Sequence, residues 1–433
     1  MQHYPAIIVG GGQAGLAMSY CLRERGIDHV VLEKHRIGHA WRHQRWDSFC
    51  LVTPNWQCQL PGFPYQGDDP HGFMGRDEIV QYVESYARSF GAPVQEGVAV
   101  SRLRREGKDK FYLSTTAGEL TASQVVIATG GYHRPKIPAF AARFPDTITQ
   151  IHSSQYKGPD QLPAGAVLVV GTGQSGCQIA EDLHLAGRQV HLCVGGAPRS
   201  PRRYRGRDVV DWLERMGYYD IPIAQHPQKE EVRHRTNHYL TGRDGGREID
   251  LRRFALEGMA LYGRLTGVEG HHLGFDGTLK QNLDHADAVA ESIKRTIDQF
   301  ITQEEIAAPT EAPYQPVWVP QEEPSSLDIA AANITTVIWA MGYQADFSWV
   351  DVPVFDGQGY PGHDRGVTTV EGLYFLGLPW LYTWGSGRFS GVARDAQYLA
   401  DRMVITERRR QSSWSLLDRS PLLEVINEMA LGS

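Results

Sequence analysis

Cysteine is scarce in this sequence, and its spacing is more informative than its number. The five residues, Cys21, Cys50, Cys58, Cys177 and Cys193, are odd in number and contain no CxxC pair. That pattern suits a reducing cytoplasm and argues against a reductase working through a vicinal dithiol. Long hydrophobic runs are also missing, and none reaches the roughly 20 residues needed to cross a bilayer. The chain opens MQHYPAIIVGGG and enters a strand at once, so no leader and a cytoplasmic location are expected. Positive charge is not in excess. A formal net charge of −7 gives no reason to expect nucleic acid as a partner. The seventeen histidines read as scattered, and no metal site is expected. No Ser/His/Asp triad stands out.

At 433 residues the chain is long for one core and suits two domains with an insertion. A hydrophobic fraction of 41% and a charged fraction of 21% are those of a globular protein. The organising stretch is AIIVGGGQAGLAMSYCLRERGIDHVVLEK. Residues 6–9 read as a buried strand and 16–25 as a helix ended by Gly26. Residues 27–32 form a second strand that finishes at Glu33. Gly10, Gly12 and Gly15 make a GxGxxG turn. The first glycine allows the tight turn, the second lets a pyrophosphate approach, and the third lets helix and strand pack closely. Gln13 and Ala14 lie within this cradle, whose helix N-terminus favours phosphate. Glu33 can accept hydrogen bonds from a ribose diol, and Lys34 follows it. Strand, turn, helix, strand and acid in this order are the context that supports the motif. With a second such unit later in the chain, FAD is expected here.

That second unit is AVLVVGTGQSGCQIAEDLHLAGRQVHLCV. Gly171, Gly173 and Gly176 repeat the glycine spacing, with Gln174 and Ser175 inside the turn. Two phosphate cradles imply two dinucleotides. Glu33 lies eighteen residues after Gly15, but eighteen after Gly176 stands Val194. No carboxylate is there to repel a ribose 2′-phosphate, and a basic run follows that includes Arg199, Arg202 and Arg203. Arginine suits bidentate phosphate binding, so NADPH is favoured over NADH. The alternative for this run is a solvated basic loop.

Between the units, residues 34–67 are rich in aromatics, proline and glycine and read as ordered loops. Trp41, Trp46 and Trp56 either fill core or wall a flavin and substrate pocket. A helix is expected at 77–90, and a β-meander at 94–121 leads into a strand at 124–129 and Gly130. Three segments after Arg202 read as helices: DVVDWLERMGYY, RRFALEGMALYGRL and LDHADAVAESIKRTIDQFITQ. They suggest a helical insertion over about 202–303. A strand at 334–341 and a C-terminal helix from Val392 follow. Amides of Gly391 and Val392 are candidates to face the flavin's carbonyl oxygens. The expected fold is therefore α/β, with two Rossmann-like dinucleotide-binding domains. Residues 1–155 and 325–433 would form a discontinuous FAD domain, and 156–324 a nested NAD(P)H domain.

VGGGQAGLA with Glu33, RWDSFCLVTPNWQCQLPGFPY, VIATGGY, VVGTGQSGCQIA and VIWAMGY together resemble the class B flavin-dependent monooxygenases and their relatives. Those include flavin-containing monooxygenases, plant indole-pyruvate monooxygenases and bacterial CzcO-like flavoproteins. The resemblance covers residues 7 to about 196 and again 335 to 401. The family pattern FxGxxxHxxxY is half present. His152 and Tyr156 match its end, while Asp146 and Ile148 replace Phe and Gly. The resemblance implies NADPH-driven reduction of FAD, then oxygenation of a small organic substrate through a peroxyflavin, of N-, S- or Baeyer–Villiger type. It also implies Trp41 and Thr53 at the flavin. Asn55 is the candidate catalytic residue, either beside the peroxyflavin or capping the turn after Pro54. Substrate and molecular oxygen are the expected partners, with no membrane, and a homodimer stays open. Alternatives are an NAD(P)H oxidase releasing peroxide and a nucleotide-sensing flavoprotein.

Overall fold

The computed structural model describes residues 1–107 and 110–410. Its centre is the parallel pair Gln2–Val9 and Gly118–Ile127, with Ile8 opposite Val126 and Val9 opposite Ile127. His29–Glu33 lies parallel on the other side of the first strand, and Val94–Glu96 lies beyond it. Leu373–Phe375 joins Gly118–Ile127, also in parallel. The expected meander is present as Val100–Glu106, Lys110–Thr115 and Gly118–Ile127, paired antiparallel. Its last strand continues into the parallel sheet, so the expected strands at 119–121 and 124–129 are one element.

A second sheet is wholly parallel, in the order Thr149–His152, Ile334–Trp339, Ala166–Val170, Val190–Cys193, Ala260–Tyr262. Ala166–Val170 is buried along its whole length, as a strand covered on both faces must be. This sheet corrects the expected boundaries. Ile334–Trp339 pairs with Thr149–His152 on one side and Ala166–Val170 on the other, so cuts at 155/156 and 324/325 would split it. The chain crosses between the sheets twice. The crossings lie side by side, where Arg134–Pro135 pairs antiparallel with Tyr343–Gln344.

The expected helical insertion is only partly helical. Val209–Arg215, Leu251–Leu256 and Leu279–Gln303 are helices. RRFALEGMALYGRL breaks after Leu256, because Ala260–Tyr262 supplies the edge strand beside Val190–Cys193. Leu265–Glu269 and His272–Phe275 then form a hairpin completed by Ser326–Asp328.

The reading of the histidines as scattered also needs correction. His35, His39 and His43 recur every fourth residue and form a column, with ring centroids 3.8 and 4.7 Å apart. Burial and its neighbouring imidazoles push the His39 pKa down to about 4. Among the described residues no three His, Cys, Asp or Glu side chains are placed to hold a metal ion. No helix among them is long and apolar enough to cross a membrane.

Candidate active site

Both glycine turns are built alike, and in each the outer two glycines are required by contact. Gly10 has φ +109°, and a Cβ there would stand 2.7 Å from the Ala128 carbonyl oxygen. A Cβ on Gly15 would sit 1.8 Å from the Gly10 carbonyl oxygen. Gly171 and Gly176 repeat this, at 2.9 Å from the Ala340 oxygen and 1.9 Å from the Gly171 oxygen. The middle glycines differ. A Cβ on Gly12 would meet nothing within 4 Å, and one on Gly173 would meet only Thr236 at 3.8 Å. Each middle glycine is the N-cap of its helix (Gln13–Glu24 and Gln174–Leu185), and neither helix has a side-chain cap. Open space in front of uncapped amides is what a pyrophosphate requires. The residues present fit two dinucleotides.

The first turn gathers most of its expected residues. Glu33 accepts hydrogen bonds from the amides of Gly11 (2.7 Å) and His35 (2.8 Å). Its two oxygens keep further lone pairs free for a diol. Gln13 Nε2 donates to the Gly387 carbonyl at 3.4 Å, and Ala14 packs against Gly377. Trp41 stacks on Phe389, with centroids 5.7 Å apart. The loop 377–391 is thereby held against this turn. Gly130, with φ +71° and open space at its Cβ position, follows the strand that Gly10 abuts. Thr53 is half-buried and Lys34 is exposed. At the second turn Gln174 clamps Leu240, its Nε2 donating to the Leu240 carbonyl and its Oε1 accepting from the Leu240 amide. Ser175 follows it in the first turn of the helix.

Four expected residues are used elsewhere. Arg199 is 3% exposed, bonded to Glu248 and Asp287, and capped by the Tyr314 ring. Arg202 is 1% exposed, bonded to Asp208 at 2.5 Å and to the Val52 carbonyl. Both guanidiniums spend their Nη atoms on internal acids and carbonyls and keep only a buried Nε without a partner. These two members of the basic run are structural, while Arg203 stays exposed, with its Nη2 donating to the Gly245 carbonyl. The Gly391 and Val392 amides both donate to the Arg388 carbonyl, at 3.4 and 3.1 Å. Helical bonding thus begins a turn before the helix 392–410, and these two amides are not presented to a ligand.

Asn55 is 4% exposed; its Oδ1 accepts from the Met74 amide and its Nδ2 donates to the Asp69 carbonyl. It braces the 69–74 loop instead of facing a cofactor. His152, from the half-matched pattern, bonds the Gly342 carbonyl at the crossing, and Tyr156 bonds Asp182.

Sequence reasoning missed Arg264. It follows the edge strand Ala260–Tyr262, and its Nη2 lies 3.0 Å from where a Gly196 Cβ would be. It is exposed and, among the described residues, carries no ion pair. Gly195 beside it is tied to the second turn by mutual bonds with Thr172. The signal was obscured because Arg264 lies within a segment read as helix.

Residues 7–256 match the family model described as pyridine nucleotide-disulphide oxidoreductase. A CzcO-like oxidoreductase of Geobacillus kaustophilus is 35% identical, covering 93% of this chain and 99% of its own length. The indole-3-pyruvate monooxygenase YUCCA1 of Oryza sativa is 33% identical over 44% of this chain and 47% of its own length. Among solved structures, a flavin-containing monooxygenase from Stenotrophomonas maltophilia superposes with a TM-score of 0.63 at 18% identity. It covers 94% of this chain and 99% of that one. Matching at this level along the full length, through both glycine turns, means that the chain is an oxidoreductase of the pyridine nucleotide-disulphide oxidoreductase family, in its CzcO-like branch.

Proposed function

We propose that this oxidoreductase binds FAD at the first turn and NADPH at the second, and uses them to oxygenate a small organic substrate. The observation that carries the reading is the pair of open, uncapped helix N-termini at Gly12 and Gly173, on adjoining sheets joined by the paired crossings. When bound, FAD supplies hydride acceptance and oxygen chemistry. Gly10, Gly12, Gln13, Ala14 and Gly15 hold its phosphates, Glu33 its ribose, and Trp41 and Phe389 wall the site. Gly171, Gly173, Ser175 and Gly176 hold the NADPH diphosphate. Arg264 binds the ribose 2′-phosphate, replacing Arg199 and Arg202 in that role. The 377–391 loop and the Tyr218–Tyr219 turn close the cleft against water, which strengthens every polar contact inside. The crossings at 134–135 and 343–344 mark where the two dinucleotide units meet.

The test begins with purified protein and NADPH without air. A yellow solution that bleaches supports both cofactor assignments, and a colourless one that takes up no FAD ends them. Admitting labelled oxygen then separates label in an organic product from release of hydrogen peroxide. A second reading, an oxidase, is favoured by one observation. Asn55, for which a place beside the flavin was one of two expected roles, is here committed to the 69–74 loop.

A further inference from the structure

Asp182 lies on the helix Gln174–Leu185, whose other end meets the second glycine turn. At 1.5 Å per residue it stands about 12 Å along the axis from that end. It is 4% exposed, yet its carboxylate accepts a hydrogen bond from each of three segments distant in the chain. Ser48 Oγ donates to Oδ1 at 2.6 Å, and Arg243 Nη1 donates to the same oxygen at 2.5 Å. Tyr156 Oη donates to Oδ2 at 2.7 Å.

Each donor belongs to a part that borders a cradle. Ser48 ends the stretch 41–48, whose Trp41 stacks on Phe389 at the first site. Tyr156 follows the strand Thr149–His152, and its ring packs on Trp46 of the same stretch. Lys157 fastens that stretch further, with Nζ donating to the Arg45 carbonyl at 3.0 Å and its own carbonyl accepting from the Asp47 amide. Arg243 lies three residues past Leu240, which Gln174 clamps. The helix of the second cradle is therefore held twice, by Gln174 at its start and by Asp182 near its end, and the second hold reaches the wall of the first site. Packing around this joint is incomplete. A cavity of about 420 Å³ beside it is lined by Asp47, Ser48, Cys50, Phe73, Arg243 and Asp244. The 47–50 loop and the 242–245 turn have room to shift, and charge-assisted bonds to one carboxylate hold them in register.

We propose that Asp182 is a positioning residue for flavin reduction. Through Ser48, Tyr156 and Arg243 it sets the angle of the nucleotide helix to the first site, and so governs how fast hydride passes from NADPH to FAD, not how tightly either binds. The step moves one hydride, leaving NADP⁺ and reduced FAD, and Asp182 exchanges no proton in it. This inference rests on the proposed function, because it takes the second turn to hold the hydride donor. Diphosphate contacts at Gly171, Gly173 and Gly176 are local to the turn and travel with the helix. Alignment of the reacting atoms does not, and a misplacement of about 1 Å there costs about a hundredfold in rate.

The variants are Ser48→Ala, Tyr156→Phe, Asp182→Ala and Asp182→Asn, loaded with FAD and reduced without air at graded NADPH in a stopped-flow instrument. Tyr156→Phe and Asp182→Ala should lower the limiting rate about tenfold or more, with the NADPH dissociation constant within about twofold and FAD content unchanged. Asp182→Asn should recover most of the rate, because its carbonyl oxygen still accepts from Ser48 and Arg243 and its amide nitrogen donates to the Tyr156 oxygen. Hydrogen exchange without nucleotide gives a readout independent of turnover. In Asp182→Ala, peptides covering 43–50 and 149–157 should exchange faster together, while 2–9 keeps its protection. A lowered melting temperature with an unchanged limiting rate makes the joint a matter of stability alone and overturns the proposal. A loss confined to NADPH affinity overturns it as well. If Asp182→Ala does not fold, Tyr156→Phe and Ser48→Ala, which each leave two of the three donors, decide the same question. Wild-type protein that NADPH never bleaches contradicts the proposed function itself, a result distinct from slow bleaching confined to the variants.

Discussion

Replacing Arg264 with glutamine should weaken NADPH and leave NADH nearly unaffected. The side chain reaches the Gly195–Gly196 loop, where the carboxylate of an NADH-selective site would otherwise stand, and among the described residues it stands in no ion pair, Asp276 being held by its backbone amide. A hydrogen bond to a charged group contributes about 1.5–3 kcal/mol. Arg264 is exposed, so the lower end applies, which corresponds to about a tenfold rise in the NADPH dissociation constant. The contrasting perturbation is Arg199→Ala or Arg202→Ala. Removing one partner of a buried ion pair costs about 3–5 kcal/mol, a large fraction of the 5–15 kcal/mol that holds a typical domain together. Those variants should lower the melting temperature and weaken both nucleotides together, through unfolding. The assay is anaerobic flavin reduction at graded NADPH and NADH, with a thermal melt of each variant. An Arg264→Gln enzyme with an unchanged NADPH:NADH ratio would refute the assignment. So would a folded Arg199→Ala enzyme that had lost NADPH alone.

Other outcomes follow from the same geometry. Gly12→Glu should fold, because its side chain enters open space, yet lose FAD; Gly15→Val should fail to fold at all, because its Cβ would overlap the Gly10 carbonyl. Spectra and melts of the two variants tell these apart. Asn55→Ala should cost about 1–3 kcal/mol by orphaning the Met74 amide, without a selective loss of oxygenation, checked by melting and by product yield per NADPH. Burial pushes the Glu181 pKa up to about 7 against partial relief from Thr241, Arg247 and Arg243. The folded state therefore holds a proton that the unfolded chain releases near pH 4.5, and this group's contribution to stability falls as pH rises from about 4.5 to 7. Glu181→Gln should then raise the melting temperature more at pH 8 than at pH 5, and equal gains would contradict the raised pKa.

The cradles were legible because backbone geometry alone dictates them. Gly10 and Gly15 are required by atoms within their own strand–turn–helix unit or in the adjacent strand, and the spacing of a few residues records that demand. The strand Ala260–Tyr262 was not legible. A short apolar run fits helix or strand equally, and only the open edge of Val190–Cys193, far away in the chain, decides it. The split of the second sheet was misplaced for the same reason, since Ile334–Trp339 pairs with Ala166–Val170, far away in the chain.

Charge is where local reading failed most, and the failure has a direction. Arg199 and Arg202 stand where a phosphate site is expected, but their acids lie 49, 88 and 6 residues further on, and one of those distances is too long for any motif to encode. A basic run shows how many cations a segment carries, but not how many the fold has already neutralised. Burying a cation requires an anion, so the fold's own pairings can be subtracted first. That subtraction removes Arg199, Arg202 and Arg252 as structural, and leaves Arg264 beside the second cradle without an ion pair among the described residues. Arg264 lies where a nucleotide phosphate is expected on independent grounds, from the glycine spacing at Gly171, Gly173 and Gly176. Arg264→Gln therefore tests whether nucleotide recognition falls to a cation that the fold has not already paired.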